Sequence, residues 1–251
     1  MADPAETIDE VIERLTAIIE QSKSEQSRLG YFAALYRKVT CRVKESIDKG
    51  DYFDCNDRMK KLDVIFANRY LTAFDQMQSG DDPTRCWDFA FDVTEEYWPI
   101  VLQHLLLGMN AHINLDLGIA AIETVGNDGL PDLHGDFNKI NDLLFELVGG
   151  VKEELAWVWP PLRWLNRHLG DVEDSIINFS MTAARDAAWD FAQKLGPLND
   201  SERTAAIEER DGEVTLLAHG IRYPGIVLGG VTKAIRLGER GTVAEIIAIL
   251  E

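Results

Sequence analysis

Residues 100–123, IVLQHLLLGMNAHINLDLGIAAIE, set the strongest limit on what this chain can fold into. The run is long and apolar, yet Gln103, His104, Asn110, His112, Asn114 and Asp116 lie inside it. At about 100° per residue, Gln103, Asn110 and Asn114 fall within roughly 40° of one another, and His104, Gly108, His112 and Asp116 spread over roughly 120° of the opposite side. A helix that is apolar over so much of its circumference belongs in a core. Buried polar side chains are costly without partners, so these six must meet one another, other helices, water or a ligand.

The rest of the chain reads as amphipathic helix. Ile8, Val11, Ile12, Leu15, Ile18 and Ile19 form a stripe behind the capping-box spacing Thr7–Glu10. Leu29 to Val43 gives a second apolar face, with Gly50 as its stop signal. Asp54 is a candidate cap for a helix over 57–80, and Asp82-Pro83 opens a short aromatic-rich helix before Tyr97-Trp98-Pro99. The segment VGNDGLPDLHGDFN at 125–138 reads as a long loop, of a length that is often functional, with Asp136 capping a helix over 137–159. After Pro160-Pro161, a short helix is expected over 161–171, with Asp171 capping another through to 196. Capping boxes at Asn199–Glu202 and Thr242–Glu245 bracket the last helices, near 200–220 and 242–250. With no β-alternation, repeat or linker, the expectation is one all-α globular domain over 1–251, roughly ten helices around a buried central one.

Charge narrows the partners. A formal net charge of −18 speaks against nucleic acid and anionic membrane surfaces, which reward clustered Lys and Arg. His, Asn and Asp in the middle of the central helix would be expensive in a bilayer, so it reads as a soluble core helix. Cys41, Cys55 and Cys86 have no paired or metal-type spacing, and the acidic, amphipathic opening MADPAETIDEVIERL does not read as a secretory leader. Both fit a cytoplasmic protein with reduced thiols.

His112-x-x-x-Asp116 is the strongest chemical motif, because residues at i and i+4 share one helix face. In a metal reading, His112, Asp116 and His134 hold zinc, iron or manganese, which activates water for hydrolysis. In a metal-free reading, Asp116 orients His112 as general acid or base, with His104 and Arg69 completing the catalytic group. His104 lies about 12 Å before His112 along a straight axis and joins it only if the helix opens near Gly108. Arg69 interrupts the apolar face of its helix, either as an internal ion pair or as a clamp on an anionic ligand, and Asp63 is close by in sequence. Asn68, Asn110 and Asp136 are the candidate ligand contacts, although Asn110 and Asn114 also suit bonds between helices. The alternative to an enzyme is a helical protein that binds a small molecule or a partner and uses the same groups to orient it. Phosphate loops, GxSxG, HExxH and paired Glu-x-x-His motifs are absent from the sequence.

FAALY at 32–36, LDVIFANRYL at 62–71, HLLLGMNAHINLDL at 104–117 and DFNKIN at 136–141 resemble a bacterial all-helical family, a domain of unknown function. The resemblance covers most of the chain and implies no activity. A looser likeness links the His-x-x-x-Asp pair to helical zinc-dependent phospholipases and nucleases, whose wider set of histidines this sequence lacks.

Overall fold

The computed structural model describes residues 3–161 and 181–251, and among them there is helix and no strand. The helices are α1 (Ile8–Glu25), α2 (Leu29–Lys49), α3 (Asn56–Ser79), α4 (Arg85–Asp92), α5 (Val101–Ala111), α6 (Leu117–Val158), α7 (described over 181–195), α8 (Asp200–Arg222), α9 (Gly225–Gly238) and α10 (Val243–Leu250). The helix expected over 161–171, with His168 and Asp171, and the start of the next one lie outside the described residues.

The all-α fold is as the periodicity predicts. The central run becomes a continuous rod, in which α5 passes through one π turn, His112–Asp116, into α6. Around it pack α2, α3, α4 and α8, and the buried apolar side chains form a single core. The helix does not open at Gly108. That glycine stays helical because the Phe32 ring lies against it and leaves no room for a Cβ. The opening comes four residues later, where the N–H of Leu117 reaches back five residues to the carbonyl of His112. A π turn is a common mark of a functional site within a helix. The Asn114 carbonyl in this turn accepts from Arg210 Nε at 2.9 Å.

The segment expected to be a loop over 125–138 is helical. Gly126 adopts φ 67°, ψ 178°, a non-helical step that breaks α6 and lets it restart at once. Pro131 lies inside the restarted helix, five residues after the break.

Several local caps form as the sequence predicts, but two do not: α3 starts at Asn56 behind Cys55 rather than on an Asp54 cap, and α4 starts at Arg85, past Asp82-Pro83, with no side-chain cap of its own. Thr7 accepts from the N–H of Glu10, the boxes at Asn199–Glu202 and Thr242–Glu245 are both formed, and Gly50 is left-handed at the end of α2. Three other helix starts are capped from a distance. Asp136 does not cap its own segment: it lies within α6 and accepts from the backbone N–H groups of Asp54 and Cys55, from Arg58 and from Lys139. Asp211 of α8 accepts from the N–H groups of Arg85 and Cys86 at the start of α4. Glu239, just after α9, accepts from the N–H of Val101 at the start of α5. These carboxylates tie three helix N-termini, with their partial positive charge, to sequence-distant helices.

The helical run Val101–Leu147 is long and apolar enough to cross a membrane, and 78% of its most apolar window is buried inside the protein.

Candidate functional site

The π turn places His112 and Asp116 at the crossing of α2, α3 and α4. Asp116 is 1% exposed, and three N–H donors converge on its carboxylate. Arg69 Nε of α3 donates to Oδ1 at 3.0 Å, Trp87 Nε1 of α4 donates to Oδ2 at 2.8 Å, and His112 Nδ1 lies 3.2 Å from Oδ2. Burial alone would raise the Asp116 carboxyl; Arg69, His112 and Trp87 outweigh it and hold it below the usual carboxylate range. Burial likewise lowers the His112 imidazole, and the opposing pull of Asp116 does not restore it. The imidazole is therefore neutral beside an ionised carboxylate. A carboxylate that can only accept assigns the proton to Nδ1 and leaves a lone pair on Nε2.

Nε2 of His112 is buried and meets no hydrogen-bond partner among the described residues. The ring itself is closely held: Phe66 stacks on it with centroids 3.6 Å apart, and Tyr36 meets it edge-on at 4.5 Å. Nearby, Oδ2 of Asp63 is also buried, without a partner among the described residues. Burial pushes the Asp63 carboxyl up to about 7, so it keeps its proton far above the usual carboxylate range.

These groups share a cavity of about 260 Å³ with an otherwise apolar wall drawn from α2, α3, α5, α6 and α7. His112, Asp63, Tyr36 and Arg185 are its polar lining among the described residues. Leu102 and Leu106, one turn apart on α5, also line it and are about 40% exposed, 41% and 38%. A larger groove of about 480 Å³ lies elsewhere, beside His134 and Trp189, and among the described residues no Asp, Glu, Lys or Arg lines it.

Of the residues singled out from the sequence, His112, Asp116 and Arg69 are brought together. Arg69 is an internal ion-pair partner, with a quarter of its side chain exposed. His104 stands apart: it packs against Tyr31, does not line the cavity, and is driven down to about 3 by burial, with Arg28, Arg236 and Arg222 adding to the effect. Asn68 holds the chain's opening segment through both the N–H and the carbonyl of Ala5. Asn110 donates to the Val214 carbonyl and accepts from Asn114, the interhelix role open to it. His134 pairs with Asn138 and Trp189 rather than with His112 and Asp116.

The expected metal site does not fit this arrangement. N–H donors already occupy both oxygens of Asp116, and His112 Nδ1 faces the same carboxylate. Among the described residues no group of three or more His, Cys, Asp or Glu side chains is placed to hold an ion. Sequence reasoning missed Tyr36, Trp87 and Arg185, whose aromatic or helical surroundings look like ordinary core. Asp63 left a clearer signal, as one acid inside the apolar run LDVIF.

A profile of a family of unknown function, DUF5995, matches residues 8–224. No curated protein and no solved structure matches the chain.

Proposed function

The chain belongs to the DUF5995 family, a family of unknown function, and we propose from its own site that it binds an apolar small molecule in the cavity beside His112. A hydroxyl on that molecule would donate to His112 Nε2. The observation that carries this reading is the lone pair of Nε2, fixed in direction by the Asp116 bond yet buried with no donor among the described residues to bond to it. An unmet buried acceptor costs about 1–3 kcal/mol, which a ligand donor would recover. The cavity, at about 260 Å³, sits near the lower end of ligand sites, about 300–1,000 Å³, and suits a slender chain better than a fused ring system.

Binding of decanol to the full-length protein, followed by calorimetry, tests this. Saturable binding is expected, together with its loss in Val39→Trp, which fills the cavity from α2 while leaving His112 untouched. No binding to the wild type, or equal binding to Val39→Trp, counts against the cavity.

One observation favours a catalytic version of the same reading. A neutral imidazole with an oriented lone pair and a carboxyl titrating at about 7 line one cavity, the separation of base from acid that proton-transfer enzymes use. His112 would accept the proton of a bound hydroxyl at Nε2 as Asp63 gives one to a second oxygen of the same ligand, a proton moved across the cavity with no net change of charge. Turnover abolished in Asp63→Asn with decanol binding retained would separate catalysis from simple holding.

A further inference from the structure

Arg185 of α7 lines the same cavity and is 4% exposed. Its surroundings are those of a core residue. Nη2 donates to the Phe137 carbonyl at 2.6 Å, and the guanidinium lies 4.4 Å from the centre of the Phe137 ring. Nε is buried with no acceptor, and among the described residues no carboxylate forms an ion pair with this side chain. Arg69, Arg58 and Arg222 pair with Asp116, Asp136 and Glu96, whereas half-buried Arg28 and Arg203 donate to backbone carbonyls as Arg185 does. Arg185 differs from all five in being buried and in lining a cavity.

We infer that the cavity's ligand carries a carboxylate that pairs with Arg185, so that the ligand class is an apolar carboxylic acid of the fatty-acid type. This rests on the cavity reading above and deepens it. A buried guanidinium without a counter-ion is unfavourable, whereas a planar carboxylate can accept two parallel N–H bonds from the guanidinium fork. Burial pulls Arg185 down to about 10, and the opposing pull of Asp186, the next residue in the chain, does not restore it. A single negative charge matches the single guanidinium. A phosphate dianion would need further cations, and none lines the cavity among the described residues. The other polar lining groups, His112, Asp63 and Tyr36, are neutral or nearly so, and a hydroxyl or carbonyl on the chain would meet them there.

The test compares decanoate, decanol and decylamine binding to the full-length protein by calorimetry at pH 6, where Asp63 keeps its proton, in the wild type, Arg185→Met and Arg185→Lys. Decanoate is expected to bind the wild type about 10- to 100-fold more tightly than decanol, the range for a charge-assisted hydrogen-bonded pair, with decylamine weakest. Arg185→Met should bring decanoate down to the level of decanol without changing decanol, and Arg185→Lys should restore part of the preference. Equal binding of decanoate and decanol to the wild type overturns the carboxylate assignment and leaves the cavity reading standing. Binding of neither overturns both. The wild-type comparison decides the matter even if Arg185→Met fails to fold.

Discussion

The rings of Phe66 and His112 lie face to face, 3.6 Å between centroids and 7° from parallel. Phe66 comes from the middle of α3, and His112 opens the π turn of the central rod. With Asp116 fixing Nδ1 and Phe66 covering one face, the imidazole cannot rotate to satisfy Nε2 elsewhere. The pair thus converts two packing contacts into one directed acceptor.

Asp116→Asn should destabilise the fold by about 2–4 kcal/mol, below the full 3–5 kcal/mol for breaking a buried ion pair because Arg69 partly reaches solvent. It should also lower the His112 imidazole further, since the carboxylate is what raises it. Chemical denaturation gives the first quantity and histidine NMR titration the second.

Asp63→Asn should stabilise the protein increasingly as pH rises. The folded carboxyl titrates at about 7, above its ordinary value of 3.8, so between those values the unfolded chain is ionised while the fold keeps its proton. The fold loses up to about 1.4 kcal/mol per pH unit across that window, and the loss levels off above it. Denaturation midpoints of variant and wild type should separate between pH 4 and pH 7 and then run parallel.

His104 acts in the opposite sense. Its folded value near 3 lies below the ordinary 6.5, so the unfolded chain gains a proton first, and stability present above pH 6.5 is lost as pH falls towards 3. His104→Phe should flatten that acid limb by up to about 1.4 kcal/mol per pH unit. Thermal melts at pH 7 and pH 4.5 would show it as a variant that gains on the wild type at the lower pH.

How far the sequence revealed this arrangement depended on whether the signal was local. His112 and Asp116 were visible because two polar groups one turn apart in an apolar helix need a reason to be there, and Arg69 because it interrupts an apolar face. The π turn was not visible: no glycine or proline marks it, and the glycine that invites an opening, Gly108, is spent on contact with Phe32. Asp136, Asp211 and Glu239 cap helices that lie far away in sequence, so a search for Ser, Thr or Asp beside a helix start could not find them. The segment around Asp136 looked like loop because its glycines and proline are helix-breaking on average, whereas Gly126 alone makes the break.

The distant caps lead to a comparison. Asp136→Ala leaves two backbone N–H groups and the Arg58 guanidinium without their acceptor in a buried site, and should cost about 3–5 kcal/mol. Asn199→Ala removes an exposed local cap and should cost about 1 kcal/mol. Denaturant midpoints measured side by side would give the order, and a larger loss for Asn199→Ala would contradict the role given to Asp136.

The most direct measurement of the central claim is the ¹⁵N resonance of His112 Nε2 as decanol is added. Without ligand, the spectrum should show the neutral tautomer with the proton on Nδ1. Saturation with the alcohol should then shift Nε2 as a hydrogen-bond acceptor, leaving the His134 and His219 signals in place. Saturable binding that leaves Nε2 unmoved, or that moves His134 instead, would contradict the account.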